Sequence, residues 1–144
     1  MQSESVSSEW SAVLEVQRAT HATLQVLAAE LADLDLTASE INALANLADG
    51  RGRTVSELGA AAGIRPTTMT SVLDRVERRG YVSRGSLPGN RRAVLVELTP
   101  TGRRTAATIR QAIADLERRA LSGLPADAIA GLRAALHALS EVSS

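Results

Sequence analysis

Cysteine is absent from the 144 residues, which excludes disulfides, thiol redox switches and cysteine-ligated metal sites. Lysine is absent too: all sixteen basic residues are arginine, a bias that is partly compositional and only partly chemical. There is no phenylalanine, and tryptophan and tyrosine occur once each, so a strongly aromatic ligand pocket is hard to build. No apolar run approaches the roughly 20 residues of a membrane-spanning helix. The polar, acidic N-terminal stretch lacks a secretory signal pattern. The expectation is a soluble, cytoplasmic protein with no membrane partner.

What is present is 44% hydrophobic residues, enough for a single domain over 1–144 with a real core. The formal net charge is zero, which by itself argues against a nucleic-acid binder, but the charge is segregated. Residues 1–50 hold one arginine against eight carboxylates, 51–104 hold eleven against four, and 105–144 hold four against four. A net of −7 is thus followed by +7, and the location of this charge says more than its sum.

The basic segment contains RPTTMTSVLDRVERRG, Arg65 to Gly80. Pro66 suits a first helical turn, where its missing N–H is not needed. Met69, Val72, Leu73 and Val76 make an inward stripe, leaving Thr67, Thr68, Thr70, Ser71, Arg75 and Arg78 largely on the other face. Short hydroxyls near a helix N-terminus can approach base edges, and arginines further along reach guanine or phosphate. An ordinary amphipathic helix with a solvated polar face would read the same way, and the neighbours shift the balance. Thr54-Val55-Ser56-Glu57 is a capping box opening a short helix to Ala62, which Gly63 closes. Helix, tight turn and second helix is the helix-turn-helix order. Downstream, Tyr81 to Ser86 and Arg92 to Leu98 read as two strands, with Leu87-Pro88-Gly89-Asn90 as a type II turn between them. The result is a β-hairpin with arginines at its tip.

The flanks read as helices. From about Glu9 to Ala32 the stripe runs through Val13, Leu14 and Val16, then Leu24, Leu27 and Leu31. Gln17, Thr20 and His21 interrupt it, with Arg18 alongside; these polar groups need partners, either on another chain or on a ligand. Trp10 has the same two readings, interface anchor or pocket wall. Thr37-Ala38-Ser39-Glu40 is a second capping box, opening a helix to about Leu47 that Asp49-Gly50 breaks. Thr99-Pro100 starts a helix with Ile109, Ile113, Leu116 and Ala120 in register, and the last helix carries Ile129, Leu132, Leu136 and Leu139. These terminal stripes exceed what a small lobe can cover and should pair across a two-fold axis.

Three stretches, LTASEINALANLADG, TVSELGAAAGIRPTTMTSVLDRVERRGYVSR and NRRAVLVELTPTGR, together with their spacing, resemble the multiple-antibiotic-resistance regulator (MarR) family of winged helix-turn-helix transcription factors. The resemblance covers nearly the whole chain. It implies a mainly α fold with a small β-hairpin wing (α+β): a winged helix-turn-helix lobe over 37–99, with 9–32 and 100–142 as dimerisation helices. It implies a homodimer on double-stranded DNA carrying a palindromic operator, with the helix from Pro66 in the major groove and the wing in the adjacent minor groove. The DNA-contact residues so expected are Arg65, Pro66, Thr67, Thr68, Thr70, Ser71, Arg75, Arg84, Arg91 and Arg92, Arg92 being the minor-groove residue. Asn90 departs from the family pattern, where an Asp commonly precedes the wing arginines; Asn accepts a hydrogen bond but supplies no charge.

The function expected is a dimeric regulator, in the first instance a repressor, released by a small effector, aromatic or phenolic in the family. Trp10, Gln17, Arg18, Thr20 and His21 are the pocket candidates, Arg18 suiting a carboxylate. The alternatives are a winged-helix module that docks an acidic protein, or DNA binding without a ligand. An enzyme is not expected: His21 and His137 are distant in sequence, and neither a phosphate loop nor a nucleophile–base pattern occurs. No cofactor and no metal are expected, two histidines without cysteine making a poor zinc site.

Overall fold

A computed structural model describes residues 10–142. Helix α1 (Ala12–Glu30) is capped by Ser11, whose hydroxyl accepts from the Leu14 amide at 3.3 Å. One 3₁₀ turn (Ala32–Leu34) follows, ending at Asp35 with a left-handed φ of 52°. Helix α2 (Ala38–Ala45) opens on the expected capping box: the Thr37 hydroxyl accepts from the Glu40 amide at 3.2 Å, and Glu40 Oε1 accepts from the Thr37 amide at 2.8 Å. Regular helix stops at Ala45, short of Leu47. The main-chain and side-chain amides of Asn46 both donate to the Asn42 carbonyl, at 3.1 and 2.9 Å, and the next amide, that of Leu47, turns to the Leu44 carbonyl at 3.1 Å.

Strand β1 (Arg53–Thr54) leads directly into α3 (Val55–Ala62), whose capping box on Thr54 and Glu57 is formed in both directions. Gly63 closes α3 with φ 67°. Helix α4 (Pro66–Arg78) has its proline in the first turn and is followed by Gly80 at φ 80°. The hairpin is β2 (Val82–Leu87) and β3 (Asn90–Leu98), with Gly89 at φ 83° as a type II turn requires. The sheet has three strands in the order β1-β3-β2, one more than the expected hairpin: Arg53 pairs with Val96 and Thr54 with Leu95. Helices α5 (Pro100–Leu121) and α6 (Ala126–Ser140) follow.

The described residues fall into two compact units, one ending at Ala112 and one beginning at Ile113. In the first, Leu44, Leu47, Leu58, Val96 and Ile109 form a core with the inward stripe of α4, Met69, Val72, Leu73 and Val76, all essentially solvent-free. Each such side chain contributes about 1.5–3 kcal/mol on burial, so four of them fix which face of α4 points outward. In the second unit no residue of α6 is buried, and Leu132, Leu136 and Leu139 are exposed.

The end of α4, the hairpin and the start of α5 meet at Thr99. Its amide donates to the Tyr81 carbonyl at 3.0 Å, its hydroxyl donates to the Gly80 carbonyl at 2.6 Å, and the same oxygen accepts from the Gly102 amide at 3.0 Å. Gly102 lies so close to the Tyr81 carbonyl that a Cβ there would overlap it.

Candidate nucleic-acid interface

With the four apolar residues of α4 turned inward, Thr67, Thr68, Thr70 and Ser71 are all exposed, as are Arg65 and Pro66 ahead of them. The Thr70 hydroxyl donates to the Pro66 carbonyl at 3.0 Å, so its proton is committed to the helix. Helices α2 and α3 both begin with a capping glutamate, whereas α4 has no side-chain cap and no acid in its first turn. Its N-terminal amides and the positive end of its dipole therefore face outward uncompensated, an arrangement that suits an anion such as a phosphate. The composition of that first turn, and not only the hydroxyls within it, could have signalled this from sequence.

Further along, Arg75 is about half exposed and its Nε lies 3.8 Å from Oε2 of Glu40. Arg78 folds back, Nε donating to the Asp74 carbonyl at 3.2 Å. Arg79, not singled out from sequence, donates to the Leu34 carbonyl at 2.8 Å and to the Asp35 carbonyl, and lies over the Tyr81 ring at 5.2 Å. It ties the end of α4 to the turn that follows α1.

Arg84, expected from sequence as a DNA contact, is paired with two carboxylates of α4. One terminal nitrogen donates to Asp74 Oδ1 and Glu77 Oε1, both at 2.7 Å, and the side chain is only 25% exposed. The Glu77 bond, and then the Asp74 bond, hold the guanidinium further into its charged form. Reciprocally, the Arg84 bond holds the Glu77 carboxyl below its ordinary range. Arg84 thus clamps β2 to α4 through one terminal nitrogen.

At the hairpin tip Arg92 is exposed, and its amide donates to Asn90 Oδ1 at 3.0 Å. The side-chain oxygen that Asn shares with Asp thus orders the turn through the main chain, without a charge. The Arg91 side chain lies outside the described residues. The basic hairpin tip and the hydroxyl-rich face of α4 belong to one unit, joined by Arg84.

The residues considered for a ligand are not gathered into a cavity. Trp10 is 64% exposed; Gln17, Arg18, Thr20 and His21 are exposed along α1. Arg18 pairs with Glu15 at 3.4 Å, and the Thr20 hydroxyl donates to the Val16 carbonyl at 2.8 Å. A depression of about 300 Å³ lies elsewhere, lined by Asp35, Glu40, Arg75, Arg78 and Arg79. Among the described residues no group of three or more His, Asp or Glu side chains could hold a metal ion, and no helix is long and apolar enough to cross a membrane.

Residues 34–93 match the MarR family model. The multiple antibiotic resistance protein MarR of Escherichia coli strain K12 is 31% identical over 103 residues, covering 71% of this chain and 72% of that protein. The chain belongs to the MarR family. It is accordingly a transcriptional regulator and not an enzyme. The crystal structure of wild-type MarR from E. coli superposes with a TM-score of 0.72 at 26% identity, over 90% of this chain and 97% of that one. Two more distant structures share the MarR fold. NadR in complex with 4-hydroxyphenylacetate has a TM-score of 0.84 at 19% identity, over 94% of this chain and 96% of that one. Staphylococcus aureus MepR in its DNA-binding conformation has a TM-score of 0.82 at 18% identity, over 90% and 96%.

Proposed function

We propose that this MarR-family regulator is a homodimeric repressor that binds a palindromic operator. In this reading residues 37–99 form the DNA-reading lobe, and 9–32 and 100–142 the dimerisation helices. The observation that carries the reading is the outward face of α4, uncapped and hydroxyl-rich at its start with Arg75 further along, anchored by Arg84 to a hairpin that ends in exposed Arg92. Arg65, Pro66, Thr67, Thr68, Thr70, Ser71 and Arg75 approach the major groove, Arg92 and Arg91 the minor groove, and Arg84 holds the hairpin to α4 between them. The two-fold axis is supported by exposed apolar residues on α1 and α6, among them Val13, Leu14, Leu132 and Leu136. A small effector is supported by a relative crystallised with 4-hydroxyphenylacetate. For this chain a carboxylate-bearing effector would meet Arg18, with Trp10, Gln17, Thr20 and His21 around it, in a pocket completed only by the dimer.

The test is a mobility shift on the protein's own upstream intergenic DNA with excess nonspecific competitor. Retention on one fragment, footprinting to a two-fold symmetric site, is the expected result. Binding abolished by competitor on every fragment would leave only electrostatic attraction and favour docking of an acidic protein.

Two sets of substitutions separate the roles. Arg92→Ala is expected to weaken binding across sequences, and loss of an associated phosphate contact lowers the salt slope by about one; affinity and slope both unchanged would remove the wing from the interface. Thr68→Ala or Ser71→Ala is expected to relax preference at particular base pairs, by roughly 1–3 kcal/mol for a good base contact. A loss spread evenly over all sequences would show that these hydroxyls only position the backbone.

A further inference from the structure

We propose that Glu40 is a positioning residue for DNA recognition, holding Arg75 so that its outer edge faces a base. The assignment rests on the DNA-binding function proposed above. Glu40 is 4% exposed, the one buried charged residue among those described. A buried carboxylate is costly unless it is paired. Capping does not account for the charge: the capping position accepts Gln as readily as Glu, and Glu57, which makes the same box on α3, sits at the surface. What distinguishes Glu40 is its second oxygen. Oε1 is occupied by the Thr37 amide, while Oε2 lies 3.8 Å from Arg75 Nε. The other two arginines around this depression are engaged by main-chain carbonyls, Arg78 by Asp74 and Arg79 by Leu34 and Asp35.

Arg75 stands one turn beyond Ser71 on the outward face of α4. Glu40 addresses its Nε side, and among the described residues no hydrogen bond occupies its two terminal nitrogens. Those are the groups that make a two-pronged contact to the O6 and N7 of guanine. A guanidinium selected from its many rotamers before DNA arrives favours one base at one position. The same carboxylate partly offsets the charge of Arg75 toward any phosphate, so it disfavours indiscriminate binding.

The experiment compares affinity for the footprinted operator and for random duplex at one salt concentration, in wild type, E40Q, R75A and the double variant. E40Q keeps the capping bond and removes the charge. Its ratio of operator to random affinity is expected to fall roughly tenfold, and to fall no further when E40Q is added to R75A. An unchanged ratio in E40Q, or an equal drop in the R75A background, overturns the assignment. A wild type with no operator preference overturns the DNA-binding function and this assignment together. A second readout needs no Glu40 variant: in the free wild-type protein, the Arg75 Nε–H resonance, assigned with R75K, is expected to be more ordered than that of exposed Arg65. Equal mobility of the two overturns the proposal even if E40Q fails to fold.

Discussion

Gly102→Ala is expected to lower the melting temperature by about 10 °C, although alanine is the better helix former by roughly 0.8–1 kcal/mol at an ordinary helical position. Gly102 is in the first turn of α5, where an added methyl would meet main chain, the Tyr81 carbonyl, and no flexible side chain could yield. That carbonyl also accepts from the Thr99 amide, so moving it disturbs the joint between α4, the hairpin and α5. Overpacking of this kind costs on the order of 3 kcal/mol, which at about 2–4 °C per kcal/mol gives the shift stated. Gly131 is the control. It lies in α6, where an added methyl would have nothing within 4 Å, so Gly131→Ala should be neutral or slightly stabilising. A Gly102→Ala protein melting within a degree or two of wild type would show that the joint opens at little cost.

Removing the chain from Asp127 onward, or introducing Leu132→Glu with Leu136→Glu, is expected to abolish the homodimer proposed above. Leu132, Leu136 and Leu139 recur at four and three on α6 and are exposed in the single chain. Apolar side chains in such a stripe gain about 1.5–3 kcal/mol each when fully buried, and the homodimer proposed above would bury them. Two lobes bound through one dimer act with an effective concentration that separate lobes lack, so operator affinity should drop by roughly 10²–10⁴. Sedimentation equilibrium and the operator mobility shift report the two effects. A double-glutamate variant that stays a soluble, full-strength dimer would remove α6 from the interface. The deletion alone is ambiguous, since it can also leave insoluble protein, and for that reason the point variants are the sharper measurement.

Short-range chemistry makes much of this fold readable in advance. Both capping boxes join residues three apart, Thr37 with Glu40 and Thr54 with Glu57, and both are formed in the structure. The Pro88-Gly89 turn and the inward stripe of α4 are likewise written within a few residues. What the sequence does not display depends on partners further away. Strand β1 is two residues long and exists because Arg53 and Thr54 lie opposite Val96 and Leu95, more than forty positions on; no alternation is visible in two residues. The carbonyls that hold Arg79 are 44 and 45 positions upstream. In sequence Arg84 is one more cation on a basic hairpin, whereas in the fold Asp74 and Glu77 close on it. Charge type can be read from one letter, but charge engagement needs the packed chain.

The bond from Arg84 to both Asp74 and Glu77 also has a mechanical meaning. Since Asp74 and Glu77 are both on α4 and Arg84 is on β2, the two bonds couple the rotation of that helix to that of the hairpin. In the DNA-binding function proposed above, such a coupling would set the phase between a major-groove contact and the neighbouring minor-groove contact, much as the teeth of a key keep their spacing while the key turns. Any tolerance for operators of unequal geometry must then come from bending of the DNA or from swinging of whole lobes.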